Sequence, residues 1–373
     1  MSETHCNESD TNTLSTLSES FNNSILEKIR SSTATCTFVV QAEQDVSSLR
    51  EAFTSGRIDR NMHRPSTVDK DICPDAVLEA MLAHAIGGND DNEHTPRRYV
   101  ACAIATAGQD NNFEQLIDLA NTWVRYLFWP FKANTAYPRN LHSEMTEVAT
   151  PTLRETLDSI EGARPVVKGR DGYRCIVTRF IDRNKAPPDS DEVRTTVEAA
   201  HIFKRAVAAG KRTEKSLAEY ATWDILRHLI GLSEEQVAEL DTNIDYVYNG
   251  ITLDQTLHSA FDGFEWSLRP DPDHLNRYYF DYFTRKPPSA AYGRNIEVIS
   301  FEGCPAEVRP SRKLIQFHYS LAKVLHASGA GRVIESMLKR FFEGGRKWVT
   351  HECMSADDLE LYLSTERMSL MSL

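Results

Sequence analysis

Two histidines in the middle of the chain stand in sequence patterns that could perform hydrolytic chemistry. His201 lies near the end of TTVEAAHIF, whose β-branched residues predict a strand. His258 lies in DQTLHSAFDG, which predicts a short helix ended by a glycine. Residues four apart on a helix share a face, so His258 and Asp262 can point the same way.

A turn at Asn249-Gly250 and a short strand, ITL, stand between the two histidine segments. The layout of a one-metal nuclease site is a strand that ends in a histidine, a turn with an asparagine, a second strand, and a helix that carries another histidine. The segments stand in this order here. In such a site a neutral imidazole deprotonates water, while an ion held by the helix histidine and carboxylates offsets charge on the scissile phosphate. On the first strand, Glu198 and Ala200 share one side and His201 faces the other.

Three segments together resemble one known family. They are RDGYRCIVT at 170–178, EAAHI at 198–202 and NGITLDQTLHSAFD at 249–262. In this order they resemble the HNH endonuclease family, in a branch frequent in fungal proteins. A weaker resemblance extends through the N-terminal helices and the C-terminal PSRKLIQFHYSLAKVLHASGA. The resemblance implies an α+β fold: a ββα-metal (HNH) core with an inserted helical segment, an N-terminal helical region and a C-terminal helical pair.

The resemblance also implies roles for individual positions. His201 matches the general base that activates the attacking water, and Asn249 matches the residue that fixes the loop and helps to orient the base. His258 matches a metal ligand on the helix. The family's common pattern places an acidic metal ligand directly before the base, where this chain has Ala200.

Two carboxylates are candidates to replace the acidic ligand that is missing at this position. Glu198 lies on the same strand face two residues earlier, and Asp262 lies one turn beyond His258 on the helix. Helix capping or hydrogen bonds that stabilise the fold would explain Asp262 equally well. The sequence leaves both candidates open.

A basic island surrounds the first histidine. Residues 164–215 carry 13 Lys/Arg against 7 Asp/Glu, whereas the whole chain has a formal charge of −12. Lys204 and Arg205 are candidate phosphate contacts, with a solvated surface as the equal alternative. Lys204 occupies a position where the family tends to have proline.

The chain divides into five predicted regions. They are a disordered tail at 1–33, a helical N-terminal region at 34–160, the nuclease domain at 161–285, a C-terminal region with a helical pair at 286–345, and an acidic tail at 346–373.

Local patterns predict the elements of the helical and central regions. Three amphipathic helices follow Pro74, and the last one, FEQLIDLANTWVRYLFW, stops at Pro130. Val166-Val167 and YRCIVTRFI predict short strands. The 47 residues between His201 and Asn249 exceed what a hairpin needs and predict an insertion with helices in KSLAEYATWDILRHLIG and SEEQVAEL, the second capped by Ser233.

The C-terminal half contains further predicted elements. The segments FEWSLRP and YYFDYF predict strands, and the helical pair that follows is broken at Gly329–Gly331.

Composition limits the class of protein. Hydrophobic residues make up 41% of the 373 residues, which is typical of a globular protein. The sequence contains no apolar run of about 18 residues, so no membrane span is predicted. The seven cysteines include no CxxC pair, so neither a zinc knuckle nor a disulfide framework is predicted. The N-terminus lacks a secretory signal pattern, which predicts an intracellular location, cytoplasmic or nuclear.

These observations lead to three functional hypotheses, given in order of preference. The first is a metal-dependent endonuclease that hydrolyses DNA, with RNA as a less favoured substrate, and uses Mg²⁺ or a similar ion. The second is an HNH module that has lost catalysis and acts as a nucleic-acid or protein interaction domain, which Ala200 and the acidic balance favour. The third is a structural helical protein with a coincidental motif.

Overall fold

The fold was examined in a computed structural model, which describes residues 19–59, 68–85, 95–133, 166–204, 207, 217–288, 291, 296, 298–343 and 359. These residues form a mixed α+β structure in which helices predominate and the sheets are small. The helix predicted around TLRETLDSI, Arg205 and most of the predicted acidic tail lie outside the described residues. Of that tail only Leu359 is described, and it is buried.

The elements are numbered in chain order. The helices are α1 Glu19–Arg30, α2 Thr35–Thr54, α3 Pro74–His84, α4 Pro96–Ala107, α5 Phe113–Trp123, α6 Trp129–Lys132, α7 Leu217–Ile230, α8 Glu234–Thr242, α9 Gln255–Asp262, α10 Arg312–Ala327 and α11 Ala330–Glu343. The strands are β1 Ile181–Asp182, β2 Arg194–Thr195, β3 Val197–His201, β4 Gly250–Asp254, β5 Trp266–Pro270, β6 Arg277–Tyr282 and β7 Val298–Ser300. The strands form three sheets: β1 with β2, β3 with β4, and β5-β6-β7.

The prediction of a disordered tail at 1–33 is wrong for residues 19–30, which form helix α1. Phe21, Ile25 and Ile29 recur every four residues and are buried, so they form an apolar stripe that the polar average composition hides. The guanidinium of Arg98, itself buried, donates to carbonyl oxygens in and after the last turn of α1, including that of Ile29 at 2.9 Å. It thereby satisfies acceptors at a helix end that have no partner within the helix.

The helix predicted to stop at Pro130 continues beyond it. The five residues Val124–Phe128 after α5 form a π-helical turn, and α6 then runs through Pro130 to Lys132. Proline is tolerated there because it occupies the first turn of a helical segment, where an N–H has no helical acceptor.

Two of the predicted strands before the first histidine are corrected by the structure. Val166-Val167 belong to a helical segment, 166–170, and in YRCIVTRFI only Ile181 joins a strand. The reason is backbone reversal, since Tyr173 and Arg179 both have positive φ. Cys175, predicted to be a buried small hydrophobe, is fully buried at this turn.

Strands β3 and β4 pair antiparallel, with His201 opposite Gly250 and Val197 opposite Asp254. Asp254 then caps helix α9, because its carboxylate accepts from the backbone N–H groups of Thr256 and Leu257. The predicted insertion helices are confirmed as α7 and α8, and Ser233 caps α8 as expected. The hairpin and α9 therefore place the two histidine segments side by side.

Gly250 is required at the start of β4 by a close approach of another side chain. A Cβ at this position would lie 2.8 Å from Cγ2 of Val167, which is too short for two carbon atoms. The backbone at Gly250 is extended, so a glycine is needed here for close packing and not for an unusual backbone conformation.

The C-terminal part of the chain contains two consecutive helices, α10 and α11, with a break at Ser328-Gly329. Helix α10 packs on strand β5 and on α3, so it joins the N-terminal helices to the central sheets. His318 of α10 is buried against the ring of Phe261, which lies on α9. None of the described helices is both long and apolar enough to cross a membrane.

Candidate active site

His258 is held on helix α9 with a carboxylate at each of its ring nitrogens. Its Nδ1 lies 2.6 Å from Oε2 of Glu198 on strand β3, and its Nε2 lies 3.5 Å from Oδ2 of Asp262. Only the contact with Glu198 is a hydrogen bond, and a carboxylate only accepts, so in the neutral imidazole the proton lies on Nδ1 and the Nε2 lone pair faces Asp262. The structure thus brings together all three residues that the sequence names as candidate metal ligands.

His201 lies at the end of β3 and is 29% exposed. Its Nε2 donates to Oδ1 of Asp245 at 2.9 Å. Among the residues that the structure describes, His201 forms no hydrogen bond with His258, Glu198 or Asp262. Within the described residues, the base candidate is therefore not hydrogen-bonded to the metal-ligand candidates, although Glu198 lies on the same strand.

Asn249 is fully buried, and it links the end of β3 to the segment before β4. Its Oδ1 accepts from the backbone N–H of Phe203 at 2.7 Å, and its Nδ2 donates to the carbonyl oxygens of Phe203 at 2.9 Å and Ile244 at 2.8 Å. The predicted role of Asn249 was to fix the loop and so orient His201. These bonds fix the chain two residues beyond His201.

Ala200, at the position where the acidic ligand was expected, is 1% exposed and pairs with Ile251. The site therefore has no carboxylate at this point of the strand. The described residues also include no group of three or more His, Cys, Asp or Glu side chains arranged to hold a metal ion. The arrangement at His258 explains this, because Glu198 and Asp262 bind opposite nitrogens of one ring.

The prediction of Lys204 as a surface phosphate contact is corrected by the structure. Lys204 is 6% exposed, and its Nζ donates to the backbone carbonyl of Asp262 at 2.7 Å and lies 4.8 Å from the centroid of the Phe264 ring. Burial lowers its pKa to about 7, since the charged form loses hydration there. Lys204 instead ties the segment after β3 to the end of helix α9.

Sequence reasoning missed a clamp made by Arg170 and Asp171. The guanidinium of Arg170 pairs with Asp171 at 2.7 Å and donates to the carbonyl of Gly250, while Asp171 accepts from the N–H of Thr252. Both side chains thus hold strand β4, which pairs with the strand that carries His201. Their presence in the RDGYRCIVT motif was the available signal.

Sequence reasoning also missed Asp245, the partner of His201. Asp245 lies in the inserted segment, four residues before Asn249, in a stretch with no periodic pattern. Its contact with His201 spans 44 positions and arises only in the folded chain.

The antiparallel strand pair and the helix that follows it carry one histidine each, which is the layout that the sequence predicts for a nuclease site. The comparison with family models agrees, because residues 175–269 match the model described as HNH endonuclease. The chain therefore contains a segment, about a quarter of its length, that is similar to the HNH endonuclease family. No curated protein and no solved structure matches the chain.

The family assignment has general consequences. An HNH domain indicates nuclease-type activity on a nucleic acid, and HNH nucleases generally use a divalent metal ion. The match spans β3, β4, α9 and the two insertion helices, so it includes both histidines and their carboxylate partners, whereas Arg170 and Asp171 lie just before it.

Proposed function

We propose that the chain is a metal-dependent endonuclease that hydrolyses phosphodiester bonds of DNA. His201 is the general base and His258 is a metal ligand. The observation that carries the proposal is the pairing of each histidine with a carboxylate on neighbouring elements of the segment that matches the family.

The state of His201 suits a general base. Because Asp245 accepts from Nε2, the Nδ1 atom carries a lone pair, and the side chain is accessible to water at 29% exposure. An unprotonated imidazole nitrogen can take the proton of a water molecule that attacks phosphorus. Asn249 keeps the end of the strand in place during this transfer.

The distance between the two donor atoms at His258 and Asp262 is compatible with a shared divalent ion. Two donors that each lie about 2.1 Å from one ion are separated by at most about 4 Å. His258 Nε2 and Asp262 Oδ2, 3.5 Å apart, meet this condition. Mg²⁺ is commonly bound through one or two protein carboxylates and keeps several waters, so a site with few protein donors is suitable for it.

We assign Glu198 and Asp262 different roles on the basis of the His258 nitrogen that each of them faces. Asp262 would hold the ion together with His258, and Glu198 would orient the imidazole through Nδ1. When bound, the ion would offset negative charge on the phosphate and on the departing 3′ oxygen. Of the two alternatives left open by the sequence, the proposal takes Asp262 as the ligand, and the 3.5 Å distance to Nε2 supports this choice.

The experiment is nicking of supercoiled plasmid over a titration of Mg²⁺ and Mn²⁺. His258→Ala should abolish metal-stimulated nicking. Asp262→Asn should raise the metal concentration for half-maximal rate more than Glu198→Gln does. The matched control is His274→Ala, which removes a surface histidine that also pairs with an aspartate, Asp271, and should leave the rate unchanged.

Three outcomes would contradict parts of the proposal. Salt-dependent DNA binding without metal-stimulated nicking would identify a module that binds nucleic acid and has lost catalysis, as Ala200 would explain. Cleavage of RNA but not of DNA would change the substrate class. A larger effect of Glu198→Gln than of Asp262→Asn would make Glu198 the ligand.

A further inference from the structure

The segment 243–249, between helix α8 and strand β4, carries a carboxylate directed at the base. Asp245 Oδ1 lies 2.9 Å from His201 Nε2, and the two side chains are 18% and 29% exposed. Hydrogen bonds between a charged and a neutral partner in such partly buried surroundings are stronger than those between two neutral groups.

This contact determines which nitrogen of His201 is basic. A neutral imidazole has one protonated and one unprotonated nitrogen, and a carboxylate can bond only to the protonated one. Asp245 thus selects the form with the proton on Nε2 and the lone pair on Nδ1. Within the described part of the chain, no hydrogen bond reaches Nδ1, so it is available to water.

The position of Asp245 is itself fixed by the local structure. The backbone N–H of Tyr246 donates to the carbonyl of Asn243, and the N–H of Asn249 donates to that of Tyr246, so the segment forms two consecutive turns. The Asn249 amide donates to the carbonyl of Ile244, the residue directly before Asp245.

Asn249 therefore binds both sides of the contact. The same side chain holds Phe203, two residues after His201, and Ile244, one residue before Asp245. One buried amide therefore fixes the position of both the base and its carboxylate partner. This arrangement aligns two parts of the chain that are 44 positions apart.

We propose that Asp245 is a positioning residue for His201, which holds the imidazole in the Nε2-protonated form and presents Nδ1 to the attacking water. This inference rests on the proposed nuclease function. Asp245 itself touches neither water nor phosphate in this role. It acts through the orientation and the tautomer of His201.

The first test reads the tautomer directly and does not need catalysis. The ¹⁵N signals of His201, identified by their loss in His201→Ala, are recorded at pH 8 in the full chain. We expect an Nε2-protonated ring in the wild type and in Asp245→Glu. Asp245→Asn should increase the Nδ1-protonated fraction, because the new amide can donate to Nε2. The matched control Asp224→Asn alters a surface carboxylate near His228 and should leave His201 unchanged.

The second test is kinetic. Asp245→Asn should lower kcat by about 10²-fold or more, as expected when a general base is misdirected, with KM for plasmid DNA within about twofold of the wild type. Asp245→Glu should restore part of kcat. An unchanged His201 tautomer in Asp245→Asn, or a change in KM with no change in kcat, would overturn the role of Asp245. Neither result would contradict the proposed nuclease activity. An inactive wild type with the expected tautomers would instead refute the nuclease proposal alone.

Discussion

His318 on helix α10 makes the stability of this protein sensitive to acid. The imidazole is 2% exposed and stacks on Phe261 with 3.8 Å between ring centroids. Its Nδ1 accepts from the hydroxyl of Ser267 at 2.8 Å, and its Nε2 donates to the carbonyl of Phe261 at 3.2 Å. Burial is the main cause that lowers its pKa to about 3, and the nearby Lys204 acts in the same direction.

The sign and size of the effect follow from proton linkage. The unfolded chain binds a proton on this residue near pH 6.5, whereas the folded chain does not bind it until about pH 3. Stability is therefore complete above pH 6.5 and is lost as pH falls towards 3. Between pH 7 and pH 5 the loss attributable to His318 is about 2 kcal/mol, from the difference between the two pKa values.

The assay is urea unfolding at pH 7 and pH 5, for the wild type and for His318→Gln. His84 and His326, whose pKa values partial burial also lowers, are present in both proteins, so the difference between the two pH-dependent losses isolates His318. We expect the wild type to lose about 2 kcal/mol more than the variant. The surface variant His274→Gln should behave as the wild type. An equal loss in the wild type and in His318→Gln would refute the argument that burial keeps His318 neutral.

Three further perturbations test the structure elsewhere. Asn249→Ala leaves buried backbone groups without partners and should lower the free energy of unfolding by about 3 kcal/mol in urea titrations; a loss below about 1 kcal/mol would contradict the described bonds. Arg98→Met should increase hydrogen exchange across 19–30, and unchanged protection there would show that helix α1 does not depend on this cap. Lys204→Met should leave the salt dependence of DNA binding unchanged, whereas a phosphate contact would reduce its slope by about one.

The elements that carry the two histidines could be predicted from the sequence because their signals are local. The β-branched residues of TTVEAAHIF and the terminal Gly263 lie within a few residues of the elements that they predict. The insertion helices were predicted for the same reason, with Ser233 at the start of α8.

The errors arose where tertiary contacts decide the outcome. Helix α1 was missed because its polar surface dominates the composition, while its apolar stripe is satisfied only by packing and by Arg98. The strand predicted at YRCIVTRFI fails because Tyr173 and Arg179 reverse the chain in spite of its β-branched residues.

Within the site, the partners of the two histidines differ in how far they could be foreseen. Asp262 lies one helical turn from His258, so spacing along the sequence indicates their proximity. Asp245 reaches His201 only through the path of the inserted segment, and no spacing rule predicts that contact. Lys204 was predicted to contact phosphate or to lie on a solvated surface because it belongs to the basic island, whereas the carbonyl of Asp262 provides an acceptor for it in the interior.

The central claim is that His201 activates water for hydrolysis of a phosphodiester bond. The most direct measurement is the single-turnover rate of cleavage of an end-labelled DNA duplex with saturating Mg²⁺, for the wild type and His201→Ala. We expect metal-dependent cleavage that leaves a 3′ hydroxyl and a 5′ phosphate, with a rate at least about 10²-fold lower in the variant. Equal rates in the two proteins, or no cleavage by the wild type with Mg²⁺ or Mn²⁺, would contradict it.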